Sequence, residues 1–233
     1  MSGIAAAGLA LPELVNPLAA ASALPRQKYP NQVLWSLPKQ NQSQIAWTVD
    51  DGFGLQALTN YIEFAENTDT RLTFFITSNY QAWRKLRKRI IPLAQSGQIQ
   101  LANHTKSHAS LTKISNTRIR YELTECDKFI RGEYGVKPAP IFRPPFGFYD
   151  ARVIREANAV GFTTPVMWYG SLGDGGGVTN RTRLKLADKW MTKGRIVIAH
   201  ANSITPPADL LKIRRLIDSR NLTTVTLDDV WRR

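Results

Sequence analysis

Short apolar runs alternate with helix-period segments from residue 45 onward, and the residues best suited to chemistry stand just past the runs. Residues 45–49 climb to Asp50 and Asp51, 99–102 lead to His104 and His108, 141–142 run into Arg143, and 196–199 end at His200. Other apolar runs fall at 72–76, 162–168 and 223–227. Between them, sets such as Leu55, Leu58, Ile62 and Ala65, or Ile119, Leu123, Cys126 and Ile130, recur at helical spacing. Strands alternating with helices imply a mainly parallel sheet. The expected fold is α/β, a distorted (β/α) barrel of seven or eight strands in a single domain, because strand ends in a barrel converge on one rim. An unrelated α/β arrangement would lack that convergence.

Asp50 and Asp51 are adjacent carboxylates followed by Gly52. Neighbouring strand residues face opposite ways, but a lip residue beside a glycine can turn back into the same pocket. Two carboxylates held close ionise together only when a cation sits between them. The competing reading is an acidic turn, since Asp-Gly is a common turn dipeptide. His104 and His108 are four apart, so a helical turn would put both rings on one face. Two imidazoles and one carboxylate form an open zinc set with room for water and substrate. Asn103, Thr105 and Ser107 could orient such rings. A histidine pair at this spacing can also be a surface accident.

The chain resembles the polysaccharide deacetylases, carbohydrate esterase family four. Thr48-Val49-Asp50-Asp51-Gly52 looks like their first motif, Thr-Phe-Asp-Asp-Gly, and His104-Thr105-Lys106-Ser107-His108 is similar to their metal motif. Arg143-Pro144-Pro145-Phe146-Gly147 resembles the third motif and Ile198-Ala199-His200 the last; Thr73-Phe74-Phe75 fits the second strand. The fourth motif departs. Trp168 and Asp174 are kept, but Ser171 replaces an aspartate and Gly175 the closing tryptophan, so an aromatic groove wall is expected to be missing.

The resemblance implies a metal-dependent hydrolase that removes N-acetyl groups from an amino-sugar polymer, peptidoglycan N-acetylglucosamine first. Asp51, His104 and His108 would hold a divalent metal, zinc before cobalt, nickel or manganese. Asp50 would be the general base and His200 the general acid. Arg143 would tune Asp50, and Asp174 would tune His200. The Phe146 N–H would stabilise the oxyanion, and Trp168 and Ile198 would line the acetyl pocket. Bland alternatives stand beside these roles: a structural ion pair for Arg143, a turn residue for Asp174, a core histidine for His200. The alternative functions are a weakly active or non-catalytic wall-glycan binder and an O-acetyl esterase acting on xylan.

A formal charge of +13 favours anionic partners such as nucleic acid, acidic lipid or a phosphate-rich wall polymer. Arg84, Lys85, Arg87, Lys88 and Arg89 crowd one face of the amphipathic segment 81–91. No aromatic platform or recognition-helix pattern accompanies them, so a solvated face is expected rather than a nucleic-acid site. The expected partners are an acetylated glycan polymer and an anionic wall polymer, with no transmembrane span and a monomeric state. The single cysteine, Cys126, excludes an intrachain disulfide and reads as a core filler.

Residues 1–23 read as an export-signal remnant. The alanine-rich run at 4–11 is too short to cross a membrane, and Ala21-Ser22-Ala23 has the small-x-small pattern that signal peptidase accepts. No basic residue precedes Arg26, and the start resembles the interior of a twin-arginine signal. Met1 is then expected to be an internal or misassigned start, with the mature protein beginning near Leu24 and exported to the cell wall or beyond. A floppy arm or a first barrel helix are the alternatives. Residues 24–43, with Pro25, Pro30 and Pro38, read as a linker or wrapping arm, and 44–233 as the deacetylase domain.

Overall fold

The computed structural model describes residues 24–233, so the expected export-signal remnant lies outside the described residues. The short strand β1 (Gln27–Lys28) is followed by β2 (Gln44–Asp51), then α1 (Leu55–Glu66), β3 (Leu72–Ile76), α2 (Gln81–Lys85), α3 (Arg87–Gln95) and β4 (Ile99–Asn103). The long helix α4 (Asn116–Tyr134) leads to β5 (Ile141–Phe142), α5 (Ala151–Asn158), β6 (Thr164–Pro165), β7 (Gly170–Ser171), α6 (Asn180–Trp190) and β8 (Ile196–His200). α7 (Pro207–Ser219), β9 (Thr223–Thr224), α8 (Leu227–Val230) and β10 (Trp231–Arg232) close the chain. The main sheet runs β6-β5-β4-β3-β2-β8-β7, and its pairs are parallel. β9 adds to the start of β2.

All eight residues of β2 are buried, as suits a central parallel strand covered on both sides. Its alternation sorts the chemistry. Ile45, Trp47 and Val49 face the core shared with the helices, whereas Ala46 packs inside the curl with Phe75 and Ala102. Val49 therefore faces the opposite way from Asp50, into the helix-side core. Cys126 lies in the helix-side core, where burial pushes its thiol up to about 12.

β6 and β7 are consecutive in the chain yet lie on opposite edges of the sheet, which curls into an open barrel. The expected continuous strand over 162–168 is interrupted at this seam. Residues 34–37 lie across it. The Leu34 N–H donates to the Pro165 carbonyl at 2.9 Å, Met167 donates to the Leu34 carbonyl at 2.7 Å, and Leu37 donates to Gly194 at 2.9 Å. Ser36 bridges Arg195, and the buried Leu34 and Leu37 cover edge groups that would otherwise be free to pair with another chain. The amphipathic segment 81–91 is two helices rather than one, broken at Leu86 (φ −96°, ψ 5°).

Candidate active site

The strand-end residues do converge. A cleft of about 320 Å³ is lined by Asp50, Asp51, His104, His108, Phe146, Trp168, Ile198 and His200, with Tyr80, Gly175 and Asn202 on its rim. Arg143 and Asp174, both 0% exposed, lie beneath it.

Asp50 points inward by ordinary strand alternation. Asp51 should face the helices, and it enters the cleft only because its own backbone turns left-handed (φ 74°). Aspartate tolerates that region better than most residues, and the turn is held from outside. Trp83 Nε1 donates to the Asp51 carbonyl at 2.8 Å, and the Thr77 N–H does so at 3.3 Å. Gly52 follows at φ 83°, and a Cβ there would meet the Trp83 ring at 2.4 Å.

His104 and His108 are not on a helix, contrary to the expected helical turn. The loop between them uses left-handed backbone at Thr105 (φ 72°) and His108 (φ 60°), and it brings the ring centroids to 5.0 Å. For a β-branched residue such as Thr105 that conformation is strained and needs support. The Thr105 N–H donates to Asn103 Oδ1 at 2.9 Å, its Oγ1 accepts from the His108 N–H at 3.1 Å, and Asn103 Nδ2 donates to the Leu123 carbonyl at 2.8 Å. Glu122 supplies the rest. Fully buried on α4, it accepts at 2.7 Å from both the N–H and the Oγ of Ser107.

Asp51 Oδ1 sits 3.4 Å from His104 Nε2 and 3.1 Å from His108 Nε2, and it is buried without a hydrogen-bond partner. His104 Nδ1 lies 2.7 Å from the Arg143 carbonyl. A carbonyl only accepts, so Nδ1 carries the hydrogen and Nε2 offers its lone pair. One ligand atom from each of the three residues falls within 4.8 Å of the others. The residues fit a divalent cation: an orphaned carboxylate oxygen and an oriented imidazole nitrogen aim at one point. Burial pushes the Asp51 carboxyl up, but the neighbouring His104, then His108 and Asn202, bring it well below the usual range. Burial likewise pulls His104 down, and Asp50 and Asp51 more than reverse it; His108 ends lowered by burial and by His104. A cation would displace the protons held here.

The other two ionic contacts flank this group. Arg143 Nη1 reaches Asp50 Oδ1 at 2.5 Å and Thr48 Oγ1 at 2.9 Å. Asp174 Oδ1 lies 3.0 Å from His200 Nδ1. Burial lowers His200, but the Asp174 hydrogen bond and the charge of Asp50 leave it raised, which favours the protonated ring.

Two further residues contribute. Asn202 Nδ2 donates to Asp51 Oδ2 at 2.6 Å, and nothing local in the sequence marks it. Glu122 did leave a signal, a carboxylate three residues after Ile119 and four before Cys126 on an apolar helix face. Glu122→Gln is expected to weaken divalent-ion binding roughly tenfold or more, the usual effect of removing support behind metal ligands. Competition with a chromophoric chelator measures it, and unchanged affinity would show that the loop stands without Glu122.

Fold and site together define an open α/β barrel whose strand ends gather a group able to hold a cation between two charge-paired side chains, Asp50 and His200. The polysaccharide deacetylase family profile matches residues 38–165, more than half of the chain, and the chain belongs to that family. Chitin deacetylase 2 of Cryptococcus neoformans is 34% identical over 119 residues, which is 51% of this chain and 25% of that protein. A peptidoglycan-N-acetylglucosamine deacetylase of Bacillus cereus is 27% identical over 162 residues, 69% of this chain and 57% of that one. The chain thus spans between a quarter and three-fifths of the length of these two relatives. A family 4 carbohydrate-esterase pseudoenzyme of Bacillus anthracis shares the fold with a TM-score of 0.73 at 18% identity, over 85% of this chain and 68% of that one.

Proposed function

We propose that the protein hydrolyses N-acetyl groups on an amino-sugar polymer, with peptidoglycan N-acetylglucosamine as its leading substrate. The observation that carries this is the placement of a charge-paired carboxylate, Asp50, and a charge-paired imidazole, His200, beside the Asp51–His104–His108 group. A divalent ion held there, zinc first, would lower the pKa of water and polarise an acetyl carbonyl. Asp50 accepts the proton of the attacking water, and Arg143 balances the carboxylate's charge and fixes its orientation. His200 delivers a proton to the departing amine, with Asp174 holding its Nδ1 so that Nε2 serves as the donor. The Phe146 N–H, carried on a left-handed residue (φ 62°), stabilises the negative oxygen, and Trp168 and Ile198 line the pocket for the acetyl methyl. The products are acetate and a free amino sugar.

The formal charge of +13 and an alanine-rich start of signal type support action on an anionic wall after export. A second reading, a glycan binder without catalysis, draws on the pseudoenzyme of like fold and on Gly175, where the family's tryptophan would stand. The two intact proton-transfer pairs favour the enzyme. Acetate release from N-acetylglucosamine oligomers, peptidoglycan and acetylated xylan, with and without zinc or cobalt, decides between them. Metal-dependent release from the amino-sugar polymers is expected. Release from xylan alone would make the protein an esterase, and none from any glycan would leave the binding reading.

A further inference from the structure

We propose that Phe53 is a sugar-stacking residue, whose ring, backed by Tyr80, receives the glycan unit next to the one held over Asp51 and the histidines. The inference rests on the reading of the cleft as a site for an acetylated glycan, and it adds a specificity-determining residue on the rim. Phe53 is 67% exposed, the most open large apolar side chain among the described residues, so core packing does not account for it. Nor is it a loose loop residue. On one side Gly52 abuts Trp83; on the other a Cβ on Gly54 would come within 2.6 Å of the Asn202 carbonyl. The Gly54 N–H donates to the Ala201 carbonyl at 3.0 Å, and the Phe53 N–H donates to Asn202 Oδ1 at 3.4 Å. Asn202 also holds the Asp51 carboxylate, so the ring is displayed from the same turn that carries Asp51.

Tyr80 sets the ring's attitude, edge to face at 5.2 Å and 78°, and Tyr80 itself lines the cleft. The apolar surface is therefore continuous from the cleft to Phe53. The cleft, about 320 Å³, is at the small end of ligand pockets, so neighbouring units of a polymer must lie on the rim. Going round the rim, Phe53 and Tyr80 lie on one flank of the His104–His108 loop. Phe146 and Phe148, with centroids 6.1 Å apart, lie on the other. The remaining arc holds Gly175 to Gly177, which offer no side chain, and the segment after β8, whose exposed residue Ile204 is not aromatic. A Cβ at Gly175 would come within 3.0 Å of the His200 ring. Beyond Trp168 within the cleft, the most exposed rings beside it are thus those of Phe53, Phe146 and Phe148. A sugar presents a face of C–H groups, and an open phenyl ring meets it with apolar area at little entropic cost.

The test is calorimetric binding of N-acetylglucosamine and its pentamer to wild type, Phe53→Ala and Phe53→Trp, all with zinc present. Acetate release from both sugars and sedimentation are followed in parallel. Wild type is expected to prefer the pentamer. Phe53→Ala is expected to lose about tenfold in pentamer affinity, the order expected for one exposed ring, with monomer affinity unchanged, and Phe53→Trp to recover it. Equal pentamer affinity in wild type and Phe53→Ala overturns the proposal, as does equal wild-type affinity for monomer and pentamer. A change in sedimentation on Phe53→Ala with pentamer affinity intact would assign the ring to a contact between copies and also overturns it. Pentamer binding that depends on Phe53 without acetate release would remove the deacetylase reading and leave the stacking one standing.

Discussion

Asp50→Asn is expected to slow acetate release about a thousandfold while leaving divalent-ion binding intact. The substitution keeps shape and volume, and the remaining amide oxygen can still accept from Arg143, as Asp50 Oδ1 does at 2.5 Å. It removes the ability to take a proton at neutral pH, and general-base contributions are typically about a hundred- to ten-thousandfold. Asp51 provides the contrast. Its Oδ1 is the orphaned oxygen beside both histidines, at 3.4 and 3.1 Å, and Asn202 holds its other oxygen. Asp51→Asn should lose the ion first and activity as a consequence, so added metal rescues it in part, whereas no metal concentration rescues Asp50→Asn. Metal content by equilibrium dialysis, measured beside acetate release, separates the two. Loss of the ion from Asp50→Asn would reverse the division of labour, a live alternative because Asp50 Oδ2 also lies 3.6 Å from His104 Nε2.

What could be read in the sequence follows the range of the interactions. Strand ends are local features, so Asp50, His104, Arg143 and His200 could be placed on one rim from apolar runs and breakers alone. Gly52 after Asp51 marks a residue free to turn back into the same pocket, but what holds that left-handed turn, Trp83 at 32 positions away, leaves no local trace. The histidine pair was recognisable by spacing, yet the spacing suggested a helix, and the real geometry rests on Glu122 and Asn103 outside the pair. Asn202 reaches Asp51 only because β8 lies beside β2, with His200 in register with Asp50, a pairing across 150 residues that no local pattern encodes. The seam between β6 and β7 was hidden for a related reason. Its apolar residues look like one strand, and the break comes from the sheet's curl and the crossing of residues 34–37.

Arg143→Met is expected to cost about 3–5 kcal/mol of stability as well as activity, because it strands a buried carboxylate. The guanidinium is fully buried and branches three ways. Nη1 serves Asp50 and Thr48, Nε donates to the Val166 carbonyl at 2.9 Å, and Nη2 donates to the Met167 carbonyl at 3.1 Å. Its carbon lies 4.1 Å from the centroid of the Phe75 ring, so the side chain also fills the barrel interior. Val166 and Met167 are seam residues, otherwise tied to the arm through Leu34. Arg143 therefore joins the central strand to the open edge through Asp50, the carboxylate proposed as the base, so one arrangement serves both the structure and the proposed chemistry. Lysine cannot reproduce the fork, so Arg143→Lys should recover little. A double-mutant cycle with Asp50→Asn, read by urea unfolding, tests the link. If Arg143 chiefly neutralises Asp50, the Arg143→Met/Asp50→Asn protein is more stable than Arg143→Met alone, and the two changes are far from additive. Additive losses would mean that the seam carbonyls, rather than the carboxylate, are what the guanidinium is buried for.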